Sequence, residues 1–184
     1  LIASSAMHTA SKHGAEPDGV FHGTFGSGTL AAGKKTIAEA WDIIPYDNRL
    51  VVLHLTREEL TGIMNESLLG GTDRALFGFE VEVVGAEAAK GETRKTRFVR
   101  SLKALRNAGP HPEGHRYCIV FNSYDVQSGG KRLMRLRALA ERPECRAALL
   151  PPNSRQALID FFADMGTVTA GHLASRPVQP AVGE

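Results

Sequence analysis

The sequence has few of the residues that cross-link a small fold or bind a structural metal. Its 184 residues include only two cysteines, Cys118 and Cys145, too few for a thiolate metal motif or a disulfide framework. One bridge between them is possible, but two buried thiols are the expected state, because free cysteine behaves as a small hydrophobic residue. A chain of this length buries roughly 70% of its unfolded surface, so its core needs no such support.

A strong excess of charge and a long apolar run are also missing. The 22 Lys and Arg residues against 20 Asp and Glu leave a net charge of +2, and so small an excess argues against a nucleic-acid or membrane-surface partner. No apolar run reaches the roughly 18 residues of a membrane span. The first residue is Leu1 and no signal peptide is visible after it. We therefore expect the chain to begin in the middle of a longer protein.

The motifs of self-sufficient enzymes are absent from the sequence as well. It contains no GxSxG, HExxH or Walker A motif, and no GxGxxG that opens a βα unit. None of the seven histidines pairs with an acidic residue at metal-ligand spacing. His111 and His115 flank Glu113 in a loop rich in Pro and Gly, and a chance cluster is the favoured interpretation. The residues by themselves indicate no complete active site.

Hydrophobic patterning predicts a single α+β domain with a mixed β-sheet and flanking helices. Capping boxes begin at Thr36 and Thr56 and predict the starts of two helices, and the apolar run over 50–55 predicts a buried strand. Further helices are predicted over 1–13, 131–141 and 153–165, further strands over 18–22, 77–84, 96–105 and 116–121, and loops over 23–33 and 122–130. The domain is predicted to span 1–166, followed by a C-terminal tail over 167–184.

Two of the predicted loops each place a tyrosine directly after a regular element. Tyr46 follows a predicted helix and Tyr124 follows a predicted strand. A base stacked on an exposed aromatic ring gains roughly 1–3 kcal/mol, so two such rings could enclose a base. Asn48 offers both a donor and an acceptor for the base edge, and Gly129 and Gly130 would let the backbone approach a ligand closely. Ordinary turn tyrosines are the alternative interpretation from composition alone.

Five segments in this order resemble the C-terminal domain of the 5'-nucleotidase family, which includes UDP-sugar hydrolases and 2',3'-cyclic-nucleotide phosphodiesterases. LIASSA at 1–6 resembles the NLIADA helix start of that family, and IIPYDNRLVV at 43–52 resembles its vlPFgNtlv segment. LTREEL at 55–60 is similar to ltGeeLk, and YCIVFNSYDVQSGG at 117–130 is similar to YrVatndFlasGGdgy. NSRQALIDFF at 153–162 is similar to the terminal vrdalieYl helix.

The resemblance, which runs over residues 1–166, implies a parent protein of two domains. An N-terminal metallophosphoesterase domain with a pair of divalent metal ions would hydrolyse phosphate esters of nucleotides. This C-terminal domain would bind the nucleoside or nucleotide and would hold no cofactor of its own. The start at Leu1 then implies that the metal domain lies outside this chain. By the same resemblance, the parent protein is expected to be periplasmic or extracellular.

The positions that match the base-binding residues of the family are Tyr46, Asn48, Tyr124, Gly129 and Gly130. In the family, two aromatic rings stack on the base from either side. We therefore expect the rings of Tyr46 and Tyr124 to face one another across a cleft, roughly 6–8 Å apart, with room for one aromatic ring between them.

Three differences separate this chain from the family pattern. The arginine of the NGGxIR ligand loop falls on Gly26 or Ser27, so its charge is lost. The Asp that follows the GG pair is Lys131 here, which reverses a charge beside the ligand, and the loop from Tyr124 to Gly129 is one residue longer. A non-catalytic binding or interaction module with a degenerate nucleotide pocket is therefore the alternative. A related enzyme that acts on another small anion is a third possibility.

The lack of a catalytic constellation leads to the first prediction. The purified chain should fold, yet release no phosphate from nucleotides above background when Mn²⁺, Co²⁺ or Zn²⁺ is added, because it has no ligand set with which a metal could activate water. A colorimetric phosphate assay with heat-denatured chain as the control would measure this. Metal-dependent turnover reproduced in independent preparations would contradict the prediction.

Overall fold

The structure is a computed structural model and describes residues 1–23, 30–71, 74–85, 97–106, 109 and 111–173. Within these residues, helices and strands form an α+β arrangement with a mixed sheet and flanking helices, which confirms the predicted fold class. The elements in order are α1 (Ile2–Lys12), β1 (Gly19–Gly23), α2 (Ile37–Ile43), β2 (Arg49–Leu55), α3 (Arg57–Leu69), β3 (Arg74–Phe77), β4 (Phe79–Gly85), β5 (Arg97–Ala104), β6 (Tyr117–Asn122), α4 (Ser123–Val126), α5 (Met134–Ala140), β7 (Ala148–Asn153) and α6 (Ser154–Met165).

Five strands form one mixed sheet in the order β3-β1-β6-β2-β7, while β4 and β5 form a separate antiparallel pair. β1 runs parallel to β6, and the other neighbours in the main sheet are antiparallel. The central strand β6 is buried at all six positions. A strand with neighbours on both sides and packed layers on both faces needs apolar residues throughout, which accounts for the continuous apolar run in this part of the sequence.

Alternate residues of β2 lie in two different hydrophobic cores. One core packs α1 and α6 against the sheet and includes Leu50 and Val52. The other packs α3, α5 and the β4–β5 pair against the opposite face and includes Val51, Leu53 and Leu55. Because successive side chains of a strand point to opposite faces, one strand serves both cores and the domain has three layers.

The sequence predicted the helix starts well. Thr36 accepts a hydrogen bond from the backbone N–H of Glu39, and the Glu39 side chain accepts from the backbone of Thr36. The same reciprocal pair forms between Thr56 and Glu59 at the start of α3. Asn153 caps α6 through its side-chain oxygen. Such caps contribute about 1 kcal/mol each, so these short motifs are reliable local signals.

The single strand predicted over residues 77–84 is wrong: the segment contains the end of one strand and most of another. Gly78 has a φ of 86°, and a Cβ there would lie 2.3 Å from the backbone oxygen of Asp18. The break at this glycine lets β3 pair with β1 while β4 pairs with β5 on the other layer. Alternating apolar residues on both sides of the glycine concealed the break.

Two other segments also differ from expectation. The loop predicted over 122–130 begins with the helical turn α4, which Asn122 caps by accepting a hydrogen bond from the Asp125 backbone N–H at 2.9 Å. Residues 148–153 form β7, a strand that the sequence did not predict because it contains Pro151 and Pro152. Proline cannot donate to a neighbouring strand, but within the described ranges β7 is an edge strand whose one partner is β2.

Both cysteines are free and buried, which confirms the expected pair of thiols. Burial, with a smaller contribution from Asp18, raises the pKa of the Cys118 thiol to about 11. Burial also raises the pKa of the Cys145 thiol. Neither sulfur is therefore a thiolate at neutral pH, and neither is a reactive nucleophile.

The C-terminal tail predicted over 167–184 is described as far as residue 173, with a short 3-10 turn at Ala170–His172. Residues 174–184 lie outside the described part of the chain. None of the helices in the described ranges is long and apolar enough to cross a membrane.

The turn at Gly78 gives the second prediction. Gly78→Ala should lower the free energy of unfolding by at least about 2 kcal/mol more than Gly14→Ala, because the new methyl group would meet backbone atoms that cannot move aside. Gly14 is the matched control: its φ of 81° is similar, but nothing lies within 4 Å of a Cβ there. Urea denaturation of both variants would measure the difference. Equal losses would show that the backbone at Gly78 relaxes.

Candidate functional site

The ends of all five strands of the main sheet define one edge that carries the residues singled out in the sequence. β1 and β6 run parallel and end there, at Gly23 and Asn122. The antiparallel partners β2 and β3 start there, at Arg49 and Arg74. β7 ends there, with Asn153 opposite Arg49. We call this edge, defined by these five residues, the upper edge.

The upper edge brings the two predicted tyrosine segments together. Residues 44–48, which include Tyr46, lead into β2, and α4, which includes Tyr124, follows β6. A hydrogen bond joins the two segments, because the Arg49 backbone N–H donates to the Ser123 hydroxyl at 3.1 Å. Tyr46 is 55% exposed and Tyr124 is 41% exposed, whereas the third tyrosine, Tyr117, is buried in the core. Both tyrosines are therefore exposed in segments that meet at one edge. Their face-to-face arrangement stays a prediction.

Tyr124 packs against an unusual stretch of backbone. Ser128, Gly129, Gly130 and Lys131 all have positive φ, between 53° and 111°. The Gly129 N–H donates to the Tyr124 carbonyl oxygen at 2.9 Å, and a Cβ on Gly130 would lie 2.9 Å from the Tyr124 hydroxyl oxygen. Of the two glycines that were predicted to admit a ligand, Gly130 thus leaves room for the protein's own tyrosine, whereas a Cβ on Gly129 would lie 3.2 Å from the Leu133 side chain.

A buried ion pair fixes α4, the helical turn that carries Tyr124, to β3. The Asp125 carboxylate is wholly buried, and the Arg74 guanidinium donates to its Oδ1 from Nε at 2.9 Å and from Nη2. The Asn122 side-chain amide donates to the other oxygen, Oδ2, at 2.8 Å. Sequence patterns could not indicate this pair, because 51 positions separate the two charged residues.

Arg155 of α6 fixes the segment that carries Tyr46 in a similar way. It is 5% exposed. Its Nε donates to the Ile44 carbonyl oxygen at 2.9 Å and its Nη1 donates to Asp47 Oδ1 at 2.7 Å. The guanidinium carbon also lies 3.3 Å from the centre of the Trp41 ring. This arrangement was not predicted either, because it joins positions more than 100 residues apart.

The remaining predicted residues have different positions. Asn48 is half-buried and its backbone oxygen accepts from the Ser154 N–H at 2.7 Å, while its side-chain amide makes no hydrogen bond within the described ranges. Lys131 is exposed. Gly26 and Ser27, where the family's arginine would fall, lie outside the described residues.

His22 completes the upper edge from β1. Burial, followed by the positive charges of Arg74 and of the chain's amino terminus, lowers the pKa of His22 to about 4. At neutral pH it is therefore uncharged and adds no positive charge to the site. It lines a small cavity of about 10 Å³ together with Ser5, Asn122 and Ser154, room for about one water molecule.

The described residues contain no group of three His, Cys, Asp or Glu side chains placed to hold a metal ion. The metal pair that the resemblance implies thus has no ligand set in this part of the chain. A larger open groove of about 630 Å³ runs along the outer surface of α3, between Arg57 and Arg135. It contains none of the residues predicted to bind a ligand.

The buried imidazole gives the third prediction. In the unfolded chain His22 takes up a proton near pH 6.5, and in the folded chain only near pH 4. Between these values the unfolded state binds more protons, so the free energy of unfolding falls as pH falls. His22 alone should contribute about 2 kcal/mol to the loss from pH 7 to pH 5.

His22→Gln is the matched variant, and the two pH dependences of stability are compared rather than the stabilities themselves. Between pH 7 and pH 5, the free energy of unfolding of the variant should fall by about 2 kcal/mol less than that of the parent chain. The carboxyl groups of Asp164 and Glu39, whose pKa values hydrogen bonds hold below 3.8 and 4.5, titrate mostly below the interval. Parallel curves for the two proteins would show that His22 protonates at an ordinary pKa.

Known proteins resemble the chain in structure rather than in sequence. No protein-family model matches it, and no curated protein matches it. The solved structures that do match include a NAD nucleotidase from Haemophilus influenzae, with a TM-score of 0.65 and 15% identity over 89% of this chain and 29% of that one. A 5'-nucleotidase precursor from Thermus thermophilus matches with a TM-score of 0.69 and 14% identity, over 98% of this chain and 34% of that one.

A third structure, from Staphylococcus aureus, is assigned as a 5'-nucleotidase and was solved with alpha-ketoglutarate. It matches with a TM-score of 0.66 and 14% identity, over 97% of this chain and 35% of that one. The chain thus spans about a third of the length of its structural relatives. Identities this low establish the fold alone, and the resemblance found in the sequence is confirmed at that level: the chain has the fold of one domain of the 5'-nucleotidase structures.

Proposed function

We propose that this chain is the nucleoside- or nucleotide-binding domain of a two-domain metallophosphoesterase of the 5'-nucleotidase family. In the parent protein, a metal-binding N-terminal domain would hydrolyse phosphate esters of nucleotides, in the periplasm or outside the cell. The observation that carries the proposal is the exposure of Tyr46 and Tyr124 at one edge of a domain with this fold. The short span of the chain relative to its structural relatives supports a separate catalytic domain.

The proposed site binds mainly by stacking. Tyr46 and Tyr124 would provide the aromatic faces, and the half-buried Asn48 side chain would hydrogen-bond the base edge. The helical turn of Tyr124 is fixed by the buried Asp125 carboxylate, and the ring packs on Gly130. A ring that is held before the ligand arrives loses little conformational entropy on binding, so most of the stacking energy is retained.

Two arginines beside the candidate site are paired with carboxylates, whereas Arg49, at the start of β2, is exposed and donates to the carbonyl oxygens of Leu150 and Pro151. Arg74 is paired with Asp125, Arg155 is paired with Asp47, and His22 is uncharged at neutral pH. Lys131 is the exposed cation that remains among the predicted residues, and a flexible ammonium fits a phosphate less well than a guanidinium. Because the sequence lacks the loop arginine of the family pattern, we expect the phosphate to add little affinity in this domain. The same loss favours the second candidate function, a non-catalytic module whose nucleotide pocket is degenerate.

The fourth prediction concerns affinity. Two stacking faces contribute about 2–6 kcal/mol before ordering costs, and a millimolar ligand needs about 4 kcal/mol. We expect adenosine and AMP to bind no tighter than high micromolar, with dissociation constants within about threefold of each other. Tyr46→Ala should weaken the binding of both ligands by roughly 5- to 150-fold, the equivalent of one lost stacking contact. Ligand-observed NMR and titration calorimetry would measure this.

Phe98→Ala is the matched control, because Phe98 is 42% exposed but lies on β5, outside the upper edge. It should leave both affinities unchanged. Low-micromolar AMP binding that Tyr46→Ala does not alter would refute the pocket, and no binding of either ligand at millimolar concentration would favour the non-catalytic module. For the parent protein, an Asp-x-His motif and a later Asn-His-Glu motif upstream of Leu1 would identify the metal domain.

A further inference from the structure

Consecutive residues at the start of α6 hold the segment that carries Tyr46. The Asn153 side-chain amide lies 3.4 Å from Asp47 Oδ1, and the Ser154 backbone N–H donates to the Asn48 carbonyl oxygen at 2.7 Å. Arg155 makes the most extensive contacts of the three. Its guanidinium donates to a backbone oxygen and to a carboxylate on either side of Tyr46, and it stacks on the Trp41 ring that precedes them.

The geometry requires an arginine at position 155. A planar guanidinium directs its donors along fixed lines within one plane while an aromatic ring covers its face, and a lysine ammonium does not. The Arg155 side chain is 6% exposed, and the Asp47 side chain that balances its charge is 67% exposed. Among the described residues, Nη2 of Arg155 has no hydrogen-bond partner. The guanidinium therefore makes its contacts there with Ile44, Asp47 and the face of the Trp41 ring.

The contacts of Arg155 are local to α2 and the segment after it. Apart from these polar contacts, α2 meets α6 through a small apolar cluster centred on Ala40, Ile44 and Leu158. The two large cores on either face of the sheet do not include Arg155 or Trp41. Loss of the guanidinium should therefore loosen residues 41–47 without unfolding the domain.

We propose that Arg155 is a positioning residue of the nucleoside site. It fixes the backbone of residues 44–47 so that the Tyr46 ring is presented at the upper edge, and it acts on the ligand only through that ring. This inference rests on the proposed function, because it assumes that Tyr46 stacks on the base.

The test compares Arg155→Met and Arg155→Lys with Arg116→Met in the full 184-residue chain. Arg116 is the matched control because it also bonds a carboxylate and a backbone oxygen, those of Glu59 and His54, but precedes the start of β6 at the opposite edge of the sheet. Thermal melts followed by circular dichroism establish that each variant is folded. Adenosine and AMP are the probes, and ligand-observed NMR gives their dissociation constants.

Arg155→Met is expected to weaken the binding of adenosine and of AMP by the same factor. That factor should be comparable with the roughly 5- to 150-fold loss of affinity for Tyr46→Ala. Arg155→Lys should fall between Arg155→Met and the parent chain, and Arg116→Met should change both constants by less than about twofold. In the Tyr46→Ala background, Arg155→Met should have no further effect, because the residue acts through the ring. Trp41 is the only tryptophan, so its acrylamide quenching should rise in Arg155→Met and stay constant in Arg116→Met.

Four results would overturn the inference. An unchanged affinity in folded Arg155→Met refutes it while the proposed function stands. A larger loss for AMP than for adenosine, or a full additional loss in the Tyr46→Ala background, shows that Arg155 contacts the ligand directly. No binding by the parent chain refutes the proposed function and this inference with it. If Arg155→Met does not fold, the affinity of Arg155→Lys decides between the same outcomes.

Discussion

The position of β6 at the centre of the main sheet is the constraint on which the rest of the structure depends. Its six residues are all buried, so it needs a strand on each side and a packed layer on each face. Because β1 pairs with it in parallel and β2 pairs with it antiparallel, the end of β1, the end of β6 and the start of β2 lie at one edge. The meeting of the two tyrosine segments follows from this pairing, since each segment directly adjoins one of these strand ends.

Two buried guanidinium groups stabilise that edge, one beside each tyrosine. Arg74 holds the helical turn of Tyr124 through Asp125, and Arg155 holds the segment of Tyr46 through Asp47. A buried cation is stable only when it is paired and hydrogen-bonded, so each arginine is neutralised by the carboxylate that it binds. The result is an edge at which the two segments that carry the exposed tyrosines are each fixed by a neutralised guanidinium.

The sequence predicted those parts of the structure that depend on neighbouring residues. The capping boxes at Thr36 and Thr56 are local signals and both were correct. The break at Gly78 and the proline-containing strand β7 were not predicted, because each is stabilised by a segment distant in sequence: Asp18 crowds the glycine, and β2 supplies the only partner that β7 needs. At the candidate site, the exposed tyrosines could be found from loop composition. The two ion pairs could not, because no periodicity links positions 51 or 108 residues apart.

The fold and the ligand site respond differently to substitution. A hydrophobic core tolerates extensive substitution if patterning and total volume are kept, so the fold survives at 14–15% identity to its structural relatives. A binding site has no such tolerance, because its specificity depends on a few polar groups at fixed positions. In the resemblance to the family pattern, the loop arginine falls on Gly26 or Ser27 and an acidic position falls on Lys131. Under the proposed function, both differences would alter the charge that a bound phosphate meets. The stacking residues and the charged residues of the site therefore have to be tested separately, with adenosine reporting on the first and AMP on the second.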